Sequence, residues 1–182
     1  MKKFSLVLPI KIELNNYLGD GGTTNDLDRL IQIQLYTFNK FIDRDSLDKF
    51  YIVGRPDEIG KIKEECVKHY PDFPFVFMSE KEITPTIKHE NWKHIVNPGH
   101  LIQQIVQLGI SKFVDTEHYI ILNCDNFLTR PFSYNDMFHR GKVIFTGIEN
   151  PEKPHPIHFW QHSINVLNEN VTDIIADKNT KS

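Results

Sequence analysis

Cysteine is nearly absent from this chain. The 182 residues contain two, Cys66 and Cys124, one inside an expected helix and one at an expected strand end, with no C-x-x-C spacing. They read as two buried, reduced thiols of a cytoplasmic protein rather than as a structural bridge. Long hydrophobic runs are missing as well. No stretch approaches the roughly 20 apolar residues that a bilayer span requires. The opening MKKFSLVLPIK places two lysines before an apolar run, as a signal peptide does. That run, Phe4 to Ile10, is short, meets Lys11 and has no small-residue cleavage site, so it reads as a first strand. An excess of one charge sign is also lacking. A net charge of −3 gives no broad electrostatic footprint for nucleic acid or an anionic membrane, and leaves only a local basic groove open. Internal repeats and low-complexity tracts are absent.

The hydrophobic content of 40% and the length suit one domain with a sizeable core, or a domain with a small appendage. Phe4 to Pro9 is a short apolar run stopped by proline, as a buried strand is. Residues 10–22 form a loop with Gly19, Asp20, Gly21 and Gly22 at its end. A helix is expected from Thr24 or Asn25, with Asp26 and Asp28 in the first turn, where negative charge suits the helix dipole. Leu27, Leu30, Ile31, Leu35, Phe38 and Phe41 or Ile42 form its inward face. Lys49 to Val53 is a second strand and Asp57 to His69 a second helix, with Ile59, Ile62, Cys66 and Val67 inward. Phe75 to Met78 is a third strand, and residues 79–98 read as irregular. Gly99 to Phe113 is a helix facing inward through Leu101, Ile105, Leu108 and Phe113. Tyr119 to Leu122 and Val143 to Thr146 complete the strands. Strands alternating with helices at this spacing imply an α/β fold, a Rossmann-like and mainly parallel sheet flanked by helices. In such sheets ligands bind beyond the carboxyl ends of the strands, near a topological switch point.

The fourth strand ends in Asn123, Cys124, Asp125 and Asn126. In an extended chain Asn123 and Asp125 point the same way, and two oxygen-bearing side chains on one face can share Mg²⁺ or Mn²⁺. One or two carboxylates suffice for such an ion when a diphosphate supplies further oxygens. The competing reading makes Asp125 a turn cap and Asn126 a left-handed turn residue.

The run YIILNCDNFLTRPF, residues 119–132, resembles the Asp-x-Asp segment of GT-A-fold glycosyltransferases, where a strand reading Y-L-x-L-D-x-D leads to an R-P-F exit. Gly99-His100-Leu101-Ile102-Gln103-Gln104 with Gln107-Leu108 resembles the W-x-x-Q-Q-x-x-K-L helix of one bacterial and viral group of such proteins. Leu6 to Pro9 resembles the first strand of the same fold, and the likeness spans roughly residues 4 to 148. It implies a nucleotide-sugar-binding domain over 1–148 and a short extension, or the remnant of an acceptor region, over 149–182. It further implies a metal-dependent hexosyltransferase-like enzyme that moves a sugar from a nucleotide-diphosphate sugar to a hydroxyl of a glycan or other acceptor. Asp125 and Asn123 would hold Mn²⁺ or Mg²⁺, and Pro9, Ile10, Lys11, Gln103, Gln104 and Cys124 would line the donor. The cation would offset the charge that builds on the departing diphosphate. Asn123 stands where the family has an acid and brings no charge, which weakens attraction for a dication. The alternatives are a noncatalytic module of the same fold and another nucleotide-using α/β enzyme such as a nucleotidyltransferase.

Other candidates are weaker. The Gly19 to Gly22 segment lacks G-x-x-x-x-G-K-[ST] and reads as a loop rather than a P-loop. Arg29 reads as a surface residue and Arg130 as the partner of a local carboxylate. His155, His158 and His162 are spaced as one helical face would need for a metal, but Pro154 and Pro156 disfavour that helix. Trp160 offers a sugar-stacking face or a buried one. Glu149 and Asp136 lie downstream in loops that could supply a general base, and neither is singled out.

Overall fold

The computed structural model divides the chain into two compact units, Met1–Val143 and Ile144–Ser182. The structure describes residues 2–12, 26–85, 98–139 and 142–143, all in the first unit. The Gly19 to Gly22 loop, Trp92, the 144–146 part of the fifth expected strand, Glu149, Trp160 and the three C-terminal histidines lie outside the described residues. No described helix is long and apolar enough to cross a membrane.

Four parallel strands form the main sheet: β1 (Phe4–Pro9), β2 (Leu47–Gly54), β3 (Phe75–Ser79) and β4 (Tyr119–Ile121), in the order β3-β2-β1-β4. The first connection runs through α1 (Asp26–Arg29), a π-helical turn (Leu30–Gln34) and α2 (Leu35–Phe41). The second is α3 (Ile59–His69). The third holds α4 (Glu80–Ile83) and α5 (Pro98–Gly109), the latter ending in a 3₁₀ turn, Ile110–Lys112. After β4 come the one-turn α6 (Tyr134–Met137) and the two-residue strands β5 (Phe138–His139) and β6 (Lys142–Val143), which pair antiparallel. This is the expected α/β architecture with an all-parallel main sheet.

Strand β1 is central, and alternation divides its side chains between two cores. Phe4, Leu6 and Leu8 meet Leu27, Leu30, Leu35 and Phe38 of the first helical segment and Ile62 and Cys66 of α3. Val7 meets Tyr51 and Val53 of β2 and Ile102, Val106 and Ile110 on the opposite face. Phe50 is fully buried between Phe38, Phe73 and Phe75, with ring centroids 6.2, 5.9 and 6.0 Å away.

Several expectations are corrected. Helix α5 faces inward through Ile102, Val106 and Ile110, whereas Leu108 is 72% exposed and Phe113 39%. Two apolar stripes one residue apart both satisfy helical spacing, so periodicity alone could not choose. Gly109 marks the true face, because a Cβ there would lie 2.9 Å from Ile83 Cγ2. Val67 of α3 points outward, 42% exposed. Residues 80–83 are helical, started by a reciprocal cap: Lys81 N donates to Ser79 Oγ and Ser79 N to Glu82 Oε2. Strand β4 lies at the end of the sheet order among the described residues, and its Ile121 is 41% exposed. It is therefore not the fully buried strand that four consecutive hydrophobes suggest.

Candidate functional site

The sheet order places β1 between β2 and β4, and chain succession reverses at the β1/β4 junction. Ligands of α/β proteins bind at this point, outside the carboxyl ends of the strands. The register pairs Val7 with Ile121, and Leu122 N donates to Val7 O at 2.8 Å. The residues that follow on the two strands are Pro9, Ile10 and Lys11 on one side and Asn123, Cys124 and Asp125 on the other. The two segments named from sequence thus emerge from adjacent strands.

The local geometry differs from the extended chain that would aim Asn123 and Asp125 the same way. Pairing stops after Leu122, and residues 123–126 form a turn. Asn126 N donates to Asn123 O at 3.1 Å, and Asn123 N donates to Asn126 Oδ1 at 2.6 Å. Asn126 is thus the turn residue, and its side chain closes the loop it belongs to. Asn123 and Asp125 are both exposed, and among the described residues Asp125 makes no hydrogen bond or ion pair. A carboxylate at the tip of a turn, facing water, retains its capacity for a cation. Among the described residues no group of three or more His, Cys, Asp or Glu side chains stands together as a metal site would. A cation held by Asp125 and Asn123 would draw its remaining oxygens from substrate and water.

Cys124 turns the other way and packs against the core that contains Leu122. Burial pushes its thiol up to about 11; the neighbouring Asp26 and Asp125 carboxylates add to the rise and Arg29 opposes it. Its side chain is therefore set among protein groups, and its contribution to a donor site would be the backbone. Burial likewise pushes the Cys66 thiol up to about 12. Both cysteines are free. A thiol whose folded value is raised contributes stability that is fully present below its unfolded value of about 8.5 and is lost as pH rises from there through the folded value. Urea midpoints should therefore fall between pH 8.5 and 11, and alkylation of Cys124 by iodoacetamide should keep accelerating above pH 9. A rate that levels near pH 8.5 would reveal an ordinary accessible thiol.

Asp26 and Arg29 were legible only as helix-start and surface residues. The structure brings both to the strand end, where they pair at 3.4 Å and act on Cys124. The signal that could have found them is the chain order, since the segment after β1 must return over the β1 end.

The β1 exit leans the other way. Ile10 is buried, and its N–H donates to Val53 O at 2.8 Å, prolonging the β1–β2 pairing. Ile12 N donates to Glu58 Oε2 at 3.1 Å. Ile10 therefore serves the core through its side chain and can meet a ligand only through backbone. Pro9 is half-buried and Lys11 exposed. On α5, Gln103 is half-buried and Gln104 exposed, on the opposite face of the sheet from the α1–α2 segment.

A cavity of ≈ 530 Å³ lies at the carboxyl ends of β2 and β3, lined by Arg55, Pro56, Asp57, Lys81, Thr84 and Ile102 among others. Its size suits a small molecule, for which sites of about 300–1,000 Å³ are usual. None of Pro9, Ile10, Lys11, Gln103, Gln104, Asn123, Cys124 and Asp125 is among its lining residues. At an inter-strand spacing of about 4.8 Å, the β2 end stands about 10 Å along the sheet edge from the β4 end.

Of the two base candidates, Asp136 is engaged elsewhere. It accepts from Ser133 N and Oγ, each at 2.9 Å, and pairs with Arg130 at 2.9 Å. These bonds, those from Ser133 first, hold its carboxyl below the usual carboxylate range, which suits a cap and not a base. Arg130 thus has the local carboxylate expected of it.

No curated protein and no solved structure matches the chain. A family model described as "Family of unknown function (DUF6492)" covers residues 1–178, and the chain belongs to that family.

Proposed function

We propose that the protein is a metal-dependent glycosyltransferase of the GT-A type, using a nucleotide-diphosphate sugar as donor and a hydroxyl as acceptor. The observation that carries this reading is Asp125: an exposed carboxylate without a partner among the described residues, at the switch point of a parallel sheet. The resemblance of residues 119–132 to an Asp-x-Asp segment supports it. In this reading Asp125, helped by Asn123, would hold Mn²⁺ or Mg²⁺ beside the diphosphate, where such a cation would supply Lewis-acid stabilisation of the leaving group. Pro9 and Lys11 border the same end of the sheet. The cavity at Arg55 and Lys81 lies within reach of a ligand as long as a nucleotide sugar.

The test is thermal unfolding of the full chain with UDP, GDP or CDP, each with and without Mn²⁺. A ligand that binds only the folded state at 100 times its dissociation constant adds about 2.7 kcal/mol, several degrees for a chain of this size. One nucleotide should raise the Tm, and only with Mn²⁺. The absence of a shift with all three counts against the reading. The separation of the cavity from Asp125 favours one alternative, a module of the same fold that binds a ligand at the β2 and β3 ends without turnover. In that case a shift would appear without Mn²⁺.

A further inference from the structure

The residue that governs the Asn123–Asn126 turn lies in neither the turn nor the strand. Gln34 closes the π-helical turn and is completely buried. Its Nε2 donates to Asn123 O at 2.8 Å, across 89 residues of sequence. Its Oε1 is equally buried and has no hydrogen-bond partner among the described residues. Three residues on, Thr37 Oγ1 donates to Gln34 O at 3.0 Å and accepts from Leu128 N at 3.1 Å. One helical segment therefore fastens residues 123–128 at both ends. The π-helical turn, with Leu35 N donating to Leu30 O, lies directly before Leu35, and Gln34 is its last residue. Single π-helical turns are frequent at functional sites.

We propose that Gln34 is the positioning residue for Asp125: it holds the Asn123 carbonyl, and with it the turn, so that the carboxylate is aimed from the helix core. A buried amide is an expensive way to fill a core, above all with its oxygen left unmatched. A methionine would occupy the same space without that cost. Stability alone therefore does not account for glutamine here. The polar end does one thing that an apolar side chain cannot, which is to fix the main chain of the turn. The task given to Asp125 rests on the transferase reading, whereas the clamp on the turn does not.

Gln34→Met in the full chain separates these claims. Asn123 O keeps its bond from Asn126 N, and the unmatched oxygen disappears, so the Tm should stay within a few degrees of the wild type. Amide exchange at Asn123 and Asn126 should quicken by about tenfold, while amides of β1 and β2 do not change. Mn²⁺ affinity in the presence of the nucleotide that stabilises the wild type, read from the Mn²⁺ EPR signal, should fall by a similar factor. Unchanged exchange at the turn overturns the proposal. So does faster exchange with Mn²⁺ affinity undiminished. A wild type that binds no Mn²⁺ defeats the transferase reading, and the clamp is then judged on exchange alone. Should Gln34→Met fail to fold, Thr37→Val releases only the far end. Leu128 should then exchange faster with Asn123 and Asn126 still protected, and loosening of all three would overturn the role of Gln34.

Discussion

Asp125→Ala should reduce Mn²⁺-dependent turnover of the donor sugar by about 100-fold or more and leave the fold intact. Changing a residue that merely supports a metal ligand already costs about 10–100-fold. Removing the only carboxylate of the turn takes away the charge itself, and the attraction for a dication scales with that charge. Stability should change by less than about 0.5 kcal/mol, as for other exposed sites without partners. Asp125 is exposed and forms no bond or ion pair with another described residue. Donor hydrolysis followed at several Mn²⁺ concentrations measures the effect, with urea unfolding as the control. Asn123→Asp tests the same electrostatics in reverse: a second negative charge should lower the Mn²⁺ concentration needed for half-maximal rate. Turnover that survives Asp125→Ala would remove the carboxylate from the chemistry.

The second large effect concerns the core. Phe50→Ala should destabilise the protein by about 3–5 kcal/mol, the usual range for emptying a buried phenylalanine site. Total stabilities lie at about 5–15 kcal/mol, so roughly a fifth or more would be lost. Phe50 is 0% exposed and borders Phe38, Phe73 and Phe75, so the vacated space is walled by rings from α2, β3 and the loop that precedes β3. Such walls collapse poorly, which places the expected cost toward the upper end. Urea unfolding should show a lower midpoint with an unchanged slope. Val67→Ala, on the outer face of α3, should be nearly silent by comparison. A loss below 1 kcal/mol at Phe50 would mean that this cluster does not carry the fold.

The strands and helices were legible in the sequence because their signals are local. Runs of three and four consecutive hydrophobes, Leu6–Leu8 before a proline and Phe50–Val53 before a glycine, mark β1 and β2, and the spacing from Leu27 to Phe38 marks the first helical segment. Inward faces were legible only where a helix has one apolar stripe. The segment from Leu27 to Phe38 has one; α5 has two, and packing rather than spacing selects the stripe of Ile102, Val106 and Ile110. The start of α4 could have been read from Ser79 and Glu82, which form the reciprocal cap.

The site was legible in its parts and not in its geometry. Asn123 and Asp125 stood out because polar residues interrupt a hydrophobic strand. That they sit in a closed turn depends on Asn126, whose side chain bonds backward, and on Gln34, whose contribution comes from 89 residues away. A buried glutamine within a helical stripe looks like an ordinary polar position. Only the tertiary partner shows why it points inward. Asp26 and Arg29 were likewise readable as a helix start, while their nearness to Cys124 is a product of topology.

The turn at the end of β4 has one further consequence. Its shape is kept by the main chain of Asn123, the side chain of Asn126 and a glutamine beneath, so the tip residue contributes nothing to holding it. What the tip offers to solvent can be exchanged the way a tool is changed in a fixed chuck. The side chain at position 125 can therefore be altered with the scaffold undisturbed.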